Sequence, residues 1–393
     1  MVHLPAEMNF DEGALALEPV LSAMRNGVLT VSRVCRHREH AELHGLMPLL
    51  ADAALRGDAA GDPAERAWLS RRLRDAVVRD ELHRAEARRV LDALASAGVR
   101  TMVLKGEHVA RAYYPAPHLR PRGDIDLLIH PQSRQRAVAA LTRVGYGVLP
   151  HVRGDAILAQ VQLTRTGPPG AAHQIDVHWH ALNPHPFRSL LPFDEAWARS
   201  IPIDTLASGA RGLCAADGLL LAATHLVVHH VCEANLIWLA DVDRLARSLA
   251  PQEWHDFTSR ARDGGACAIA REVLDAAARF FETPLPPPAV ASLEEGARHE
   301  GITRHFAVPH SPARRLWLEV ASIREWRTRM AVLSQHLVPD VAYMQDRYGV
   351  TGARLAWAYV RRAAGGARGW FRVPTRILPA ASGGPARPGP AAD

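Results

Sequence analysis

The stretch GDIDLLI, residues 123–129, decides the predicted fold because it places two acids in an otherwise apolar segment. Residues two apart on a strand point to the same face, so Asp124 and Asp126 share one face. Two carboxylates that point the same way from a buried strand are costly unless a cation lies between them. The stretch therefore predicts a strand with a candidate cation site. The alternative is a solvated pair of acids on an edge strand.

Three further segments have the features of strands: Arg100–Leu104, Ile157–Thr164 and His173–Trp179. The Gly and Pro residues at 167–170 predict a hairpin turn between the last two segments. A Pro at position 131 opens a predicted helix that runs to Val144. Together these patterns predict a small mixed β-sheet core over residues 98–205.

Helical periodicity dominates on both sides of this core. In the N-terminal region, residues 1–97, helices are predicted over Gly13–Arg25, Glu42–Ala54 and Pro63–Ala97. A helical C-terminal region is predicted over residues 206–364. Residues 365–393 are rich in Gly, Pro, Ala and Arg, which predicts a disordered tail. The predicted fold class is therefore α+β, with a helical extension before the core and a helical region after it.

A third acid, Asp176, lies in one of the alternating strands, between Ile175 and Val177. An Asp-x-Asp pair on one strand and a single Asp on another can hold two divalent cations about 3.5–4 Å apart. Ligands that are all oxygen favour Mg²⁺ or Mn²⁺ over zinc. The pattern predicts that Asp124, Asp126 and Asp176 bind metal in phosphoryl or nucleotidyl transfer.

Lys105 is the only lysine in a chain with 47 Lys and Arg residues. This bias is typical of a GC-rich genome, so a retained lysine indicates a need for a compact ammonium group. Lys105 and Gly106 lie where a predicted strand ends and a helix begins, a place where a phosphate can approach free backbone N–H groups. We therefore predict that both residues bind phosphate. The alternative is that one lysine has survived by chance.

Several motifs together resemble those of the uncharacterised bacterial nucleotidyltransferase family, a branch of the polymerase-beta-like nucleotidyltransferase superfamily. They are Val103-Leu104-Lys105-Gly106, Tyr114-Pro115, Arg120-Pro121, the 123–128 part of GDIDLLI, Gly145-Tyr146, Ile175-Asp176-Val177-His178-Trp179 and Trp238-Leu239-Ala240-Asp241. The resemblance covers about residues 95–282. It implies Mg²⁺- or Mn²⁺-dependent transfer of an NMP group from an NTP such as ATP, with release of pyrophosphate. It also implies that Asp124, Asp126 and Asp176 are the metal-binding acids and that Asp176 helps to deprotonate the acceptor hydroxyl.

Two positions depart from the pattern that the resemblance implies. Glu107 follows the predicted phosphate-binding glycine, where the superfamily has Gly or a Ser that helps to hold a terminal phosphate. Arg122 replaces an expected apolar residue, and with Arg120 it either binds phosphate or pairs with Asp124. His178, next to the acids, is a further candidate for nucleotide binding. These departures leave open a second interpretation, a catalytically reduced protein that binds nucleotide or a partner in a biosynthetic cluster.

The helical region offers weaker candidates. His225, His229 and His230 lie on one apolar helix, where histidines are more often packing residues than ligands, although they could line the nucleotide pocket. Asp241 is predicted to cap a helix, with a role in the site as the alternative.

The charge and hydropathy of the sequence limit the classes of partner that the protein is expected to bind. The formal net charge is +6, and residues 351–393, with seven Arg and one Asp, carry all of it. Nucleic acid is therefore not expected as a partner, since its binders carry a basic docking face. The longest apolar run, residues 218–231, is too short for a bilayer span, so no membrane partner is expected either. The scattered cysteines and the absence of a signal pattern predict a cytoplasmic bacterial protein. The acceptor is open between a small molecule, a natural-product peptide and a protein.

Overall fold

A computed structural model of the chain describes residues 11–149, 157–167, 170, 172–230, 235–307 and 310–369. Seven strands form one mixed sheet in the order β3-β4-β5-β2-β1-β7-β6. The strands are β1 (Thr101–Val103), β2 (Asp124–Ile129), β3 (Gly147–Val148), β4 (Gln160–Thr166), β5 (Ala172–His178), β6 (Ile201–Pro202) and β7 (Arg211–Gly212). The predicted α+β class and the mixed sheet are confirmed.

The central strand of the sheet is β2, the strand that the GDIDLLI stretch predicts. It pairs antiparallel with β1 and parallel with β5, in a register that sets Asp126 opposite Asp176. Strand β4 pairs antiparallel with β5 across the predicted hairpin, and the Gly170 backbone N–H donates to the Gly167 carbonyl at 2.6 Å. Parallel pairing with this register brings the acids of two strands onto one face of the sheet.

Several predicted elements have different bounds in the structure, and two of the differences have a visible local cause. The strand expected to begin at Ile157 begins at Gln160, because the Ile157 carbonyl accepts a hydrogen bond from Arg188 instead of from a neighbouring strand. The helix expected from Pro131 has a 3₁₀ first turn over Pro131–Ser133 before the α-helix Arg134–Arg143.

Five helices precede the sheet: α1 (Glu12–Arg25), α2 (Val31–Arg36), α3 (Arg38–Leu43), α4 (Met47–Gly57) and α5 (Pro63–Ser96). Helix α5 begins at Pro63, and the Asp62 side chain caps it by accepting from the Glu65 backbone N–H at 2.9 Å. Its buried residues Val90 and Leu94 pack with Ile125 in a core beside the sheet. The predicted N-terminal helices are therefore present, but the second begins at Met47 and not at Glu42, which lies in the separate short helix α3.

Among the described residues, three α-helices lie within the core region and nine follow it. They are α6 (Lys105–Tyr113), α7 (Arg134–Arg143), α8 (Phe193–Arg199), α9 (Ala215–His230), α10 (Leu236–Ser248), α11 (Pro251–Asp263), α12 (Cys267–Phe281), α13 (Pro287–His299), α14 (Pro312–Ser322), α15 (Trp326–Leu337), α16 (Val341–Tyr348) and α17 (Ala353–Gly369). Of the described helices, none has the length and apolar character that a bilayer crossing requires. Helix α17 runs to Gly369, and the rest of the predicted tail, residues 370–393, lies outside the described residues.

A second, larger apolar core joins the N-terminal helices to the C-terminal ones. It contains Leu17 and Leu50 from the first part of the chain and Leu220, Leu239 and Phe280 from the last part. The helical regions before and after the sheet therefore share one core. This packing leaves α9 and α10 beside the face of the sheet that carries the acids.

Candidate active site

A cavity of about 510 Å³ lies between the acid-bearing face of the sheet and helices α9 and α10, and we call it the central cavity. Seven of the eight residues predicted for the site line it: Lys105, Gly106, Arg120, Arg122, Asp124, Asp126 and Asp176. The eighth, His178, is buried next to it and contacts Asp126. The opposite wall includes Leu221, His225, His229 and Trp238.

Asp126 is buried and has two partners in the cavity wall. Its Oδ1 accepts a hydrogen bond from Lys105 Nζ at 2.6 Å and lies 2.9 Å from His178 Nε2. Burial alone would raise the pKa of Asp126, but the Lys105 ammonium and the His178 imidazole hold it well below its usual value. Asp126 therefore carries a negative charge that the chain itself balances.

Asp176 is held by three glutamine amides that the sequence analysis did not identify. Gln160 and Gln162 each donate to Oδ2 at 3.1 Å, and Gln174 donates to Oδ1 at 3.2 Å. The signal for Gln160 and Gln162 is their alternation with apolar residues along β4, which puts both amides on the face of the acids. Gln174 precedes Asp176 by two residues on β5 and so lies on the same face. These amides orient the carboxylate without neutralising it.

Asp124, in contrast, is half-buried close to the other two acids. Burial, followed by the charges of Asp126 and Asp176, raises the pKa of Asp124 to about 6, against the opposing effect of Lys105. Its carboxylate therefore resists ionisation unless a further cation approaches.

The three possible metal ligands that lie closest together in the structure are not the three predicted acids. One ligand atom from each of Asp126, Asp176 and His178 lies within 4.8 Å of the others, and we call these residues the ligand cluster. Asp124 lines the same cavity but is not among these three. His178 joins the cluster because it follows Asp176 by two residues and so points to the same face of β5. Its Nδ1 is buried and has no hydrogen-bond partner among the described residues.

Lys105 and Gly106 open α6 directly after β1, as predicted, with an unexpected geometry. Lys105 has a left-handed backbone, φ 48°, which is uncommon outside glycine and is typical of functional turns. A side chain at Gly106 would lie 3.0 Å from Cζ of Arg120. The glycine therefore makes room for the Arg120 guanidinium. The predicted role of Gly106 in phosphate binding does not account for this requirement.

Arg120 is fixed by a buried pairing with α10. Its Nη2 donates to Asp241 Oδ2 at 2.7 Å, its Nε lies 3.2 Å from both carboxylate oxygens, and Tyr114 donates to Oδ1 at 3.0 Å. Asp241 lies within α10, where the sequence analysis had expected a cap. This pairing ties the C-terminal helices to the wall of the central cavity.

Replacing Gly106 with Ala is expected to break the fit of Arg120 against Asp241. Overpacking of this kind costs about 1–3 kcal/mol, and the free energy of unfolding in urea measures it. Gly123→Ala is the matched control, since a side chain there meets nothing within 4 Å. Equal stabilities of the two variants would contradict this role for Gly106.

Arg122 does not make the pairing with Asp124 that was expected as one of its two roles. Its guanidinium binds Glu107 and Asp80, and its Nη1 donates to the Arg120 carbonyl at 3.1 Å. The departure from the expected apolar residue is explained by these two buried acids. Glu107 and Asp80 accept the guanidinium hydrogen bonds that Arg122 would otherwise donate to a phosphate.

Glu107 and Arg122 belong to a buried ion-pair network between α5 and α6, completed by Asp80 and Arg111. Arg111 reaches Asp80 at 2.9 and 3.1 Å and Glu107 at 2.9 Å. His83 lies 3.2 Å from Glu107, and with Arg122 it holds the pKa of Glu107 well below its usual value although burial would raise it. Glu107 is therefore committed to this network and is not among the lining residues of the central cavity.

The predicted histidine candidates divide between the described and undescribed parts. His225 and His229 line the central cavity, with ring centroids 4.8 Å apart in a stacked arrangement. The backbone of His230 ends α9, and its side chain lies outside the described part of the structure.

Comparison with known families gives one match. A family model described as an uncharacterised nucleotidyltransferase matches residues 38–282, which are 245 of the 393 residues. The match ends where the sequence motifs predicted, but it begins earlier and includes α4 and α5. No curated protein matches the chain.

Proposed function

Because the chain belongs to the family of uncharacterised nucleotidyltransferases, we propose that it moves an NMP group from an NTP such as ATP to an acceptor and releases pyrophosphate. The observation that carries the proposal is the ligand cluster, in which two carboxylates line the central cavity and the imidazole of His178 lies buried behind them. The acceptor classes are a small molecule, a natural-product peptide and a protein side chain.

The chemistry of the ligand cluster suits a divalent cation. Asp124 is a third carboxylate beside it, and burial together with the negative charges of Asp126 and Asp176 raises its pKa. An imidazole is a poorer ligand for Mg²⁺ than for a transition metal, so we expect Mn²⁺ to bind more tightly than Mg²⁺. When bound, the cation would neutralise phosphate charge and stabilise the leaving pyrophosphate.

The chain's own residues have separate tasks in this reaction. Asp176, oriented by its three glutamines, accepts the proton of the acceptor hydroxyl. The acceptor oxygen bonds to the α-phosphorus as the bond from that phosphorus to the bridging oxygen breaks, and pyrophosphate leaves. Lys105 neutralises Asp126 before the substrate binds and is positioned to contact phosphate afterwards.

Replacing Lys105 with Met is expected to destabilise the metal-free protein by about 1–3 kcal/mol, because Asp126 loses a charged hydrogen bond. Added Mn²⁺ should recover much of this loss, and a melting series with EDTA and with Mn²⁺ measures it. Lys105→Arg should not restore the wild-type behaviour, since a guanidinium needs more room than the turn provides. An unchanged melting temperature for Lys105→Met in EDTA would contradict the neutralising role.

The proposed reaction is tested with the full chain, the four NTPs labelled at the α-phosphate, Mn²⁺ or Mg²⁺, and a panel of the three acceptor classes. We expect metal-dependent pyrophosphate release and transfer of label in wild type, and neither in Asp176→Asn. Asp204→Asn, at an exposed acid outside the cavity, is the control and should retain activity. Failure of the wild type to bind any NTP in the presence of metal would refute the proposal.

One observation favours a second candidate, a nucleotide-binding protein with reduced catalysis. Glu107 occupies the position of the superfamily hydroxyl and is committed to the buried network. In this case the NTP binds with metal, yet no acceptor class gives pyrophosphate release. The same assay therefore separates the two candidates.

A further inference from the structure

The C-terminal helices carry a concentration of exposed aromatic side chains that the proposed reaction does not use. Seven of the fourteen exposed large apolar residues in the described chain lie between residues 317 and 360. They include all three tryptophans in that set, Trp317, Trp326 and Trp357, which are 61%, 67% and 67% exposed. On the helix Ala353–Gly369, the exposed Trp357 and Val360 lie one turn apart, and contiguous exposed apolar surface often marks a binding site. We call the exposed apolar and Arg side chains of α14 to α17 the Trp–Arg surface.

The charge of this region is strongly positive. Residues 311–369 contain ten Arg against four Asp and Glu, whereas residues 1–350 are balanced overall. Arg324, Arg327, Arg354 and Arg361 are exposed, and the Arg327 guanidinium lies 5.8 Å from the centroid of the Trp326 ring. The surface therefore combines apolar anchors with cations.

The helices of this surface are fixed to each other and to the body of the protein. Leu318 of α14 is buried in the large core. On α17, Tyr359 donates to the Pro339 carbonyl at 2.6 Å and Arg362 donates to the His336 carbonyl at 3.2 Å. The whole region lies beyond residue 282, where the family match ends. It is therefore an addition to the matched nucleotidyltransferase region.

Helix α17 has the composition of a helix that lies in a membrane interface. Trp357 and Val360, 67% and 54% exposed, share its outer side with the exposed Arg354 and Arg361, while Ala358 is buried. Residues 353–369 contain four Arg and no acid, and the sequence continues with the similar stretch WFRVPTRIL at 370–378. Tryptophan favours the headgroup level, and each Arg near an anionic surface adds attraction.

We propose that the Trp–Arg surface binds the surface of a bilayer that contains anionic phospholipids. The absence of a spanning run, which argued against a membrane partner, does not bear on surface binding. A single-stranded nucleic acid could stack on the tryptophans, but the exposed Met330, Val338 and Val341 offer it neither stacking nor charge. Burial in a lipid interface accounts for the aliphatic, aromatic and basic residues together.

The test uses the full chain and co-sedimentation with vesicles of phosphatidylcholine alone or with 40% phosphatidylglycerol. We expect binding to the anionic vesicles only, weakened by salt. Two variants, Trp357→Ser with Val360→Ser and Arg354→Glu with Arg361→Glu, should each bind at least tenfold more weakly. Val78→Ser with Leu82→Ser removes exposed apolar residues from α5 instead and should bind like wild type.

Three results would overturn the proposal. The first is equal sedimentation with both vesicle types, or with neither. The second is wild-type binding by the Trp357 and Arg354 double variants while circular dichroism shows that they are folded. The third is that the wild type self-associates or binds a single-stranded oligonucleotide and these variants lose that property while they still bind vesicles. Nucleotide transfer is measured independently, so failure here leaves the proposed function intact.

Discussion

Asp124→Asn and Asp126→Asn are expected to abolish nucleotide transfer alike, but to change the stability of the metal-free protein in opposite directions. Asp124 ionises against burial and the charges of Asp126 and Asp176, so its replacement should stabilise the fold at pH 8 by about 1–3 kcal/mol. Asp126 is balanced by Lys105 and His178, so its replacement leaves the half-buried Lys105 ammonium without its partner and should destabilise the fold by a similar amount. The residues lie two positions apart on one strand and differ only in their neighbours.

The pH dependence of the Asp124 effect follows from the sign of its shift. A folded pKa of about 6 lies above the unfolded value of 3.8, so wild type loses stability as the pH rises from about 4 through 6. Asp124→Asn has no carboxyl group to ionise at this position, so its stability does not fall over this pH range for this reason. Urea unfolding in EDTA at pH 8 and at pH 4 should therefore show a gain at pH 8 that vanishes at pH 4. A gain for Asp126→Asn, or a loss for Asp124→Asn at pH 8, would contradict this account of the cavity.

Replacing Asp80 with Asn should have the largest effect on stability of any single change outside the cavity. Its carboxylate binds Arg111 and Arg122, and all three side chains are buried. Without it, two guanidinium groups share only Glu107, and breaking a buried pair in this way costs about 3–5 kcal/mol. The free energy of unfolding in urea measures the loss.

Asp75→Asn, an exposed acid on the same helix, is the matched control for Asp80→Asn and should change stability by less than about 0.5 kcal/mol. Since the network spans α5 and α6, the loss should also appear as weaker nucleotide binding. A stability of Asp80→Asn equal to that of the control would mean that the network does not join these helices.

The sequence predicted the acid-bearing strands well because their signal is local. Period-two alternation around Asp126 and Asp176 is enough to define a strand and the face on which each acid lies. The predicted mixed sheet did not specify the parallel pairing that sets these residues opposite each other. In the structure, this pairing brings Asp126, Asp176 and His178 close enough to hold one metal ion.

The partners of the charged residues could not be predicted, because they lie far away in the sequence. Asp80 precedes Arg122 by 42 residues, and Asp241 follows Arg120 by 121. Nothing local distinguishes an arginine that binds phosphate from one that a distant acid neutralises. The same limit applies to Gly106. This position must be glycine because a side chain there would collide with the Arg120 guanidinium, which no local pattern reveals.

The central claim is that the ligand cluster binds a divalent cation beside an NTP in the central cavity. A crystal of the full chain soaked with Mn²⁺ and an NTP that is non-hydrolysable between the α- and β-phosphates tests it most directly. We predict anomalous density for manganese against Asp126 and Asp176, with the triphosphate near Lys105. Nucleotide bound outside this cavity, or bound within it with no manganese at either carboxylate, would contradict the account.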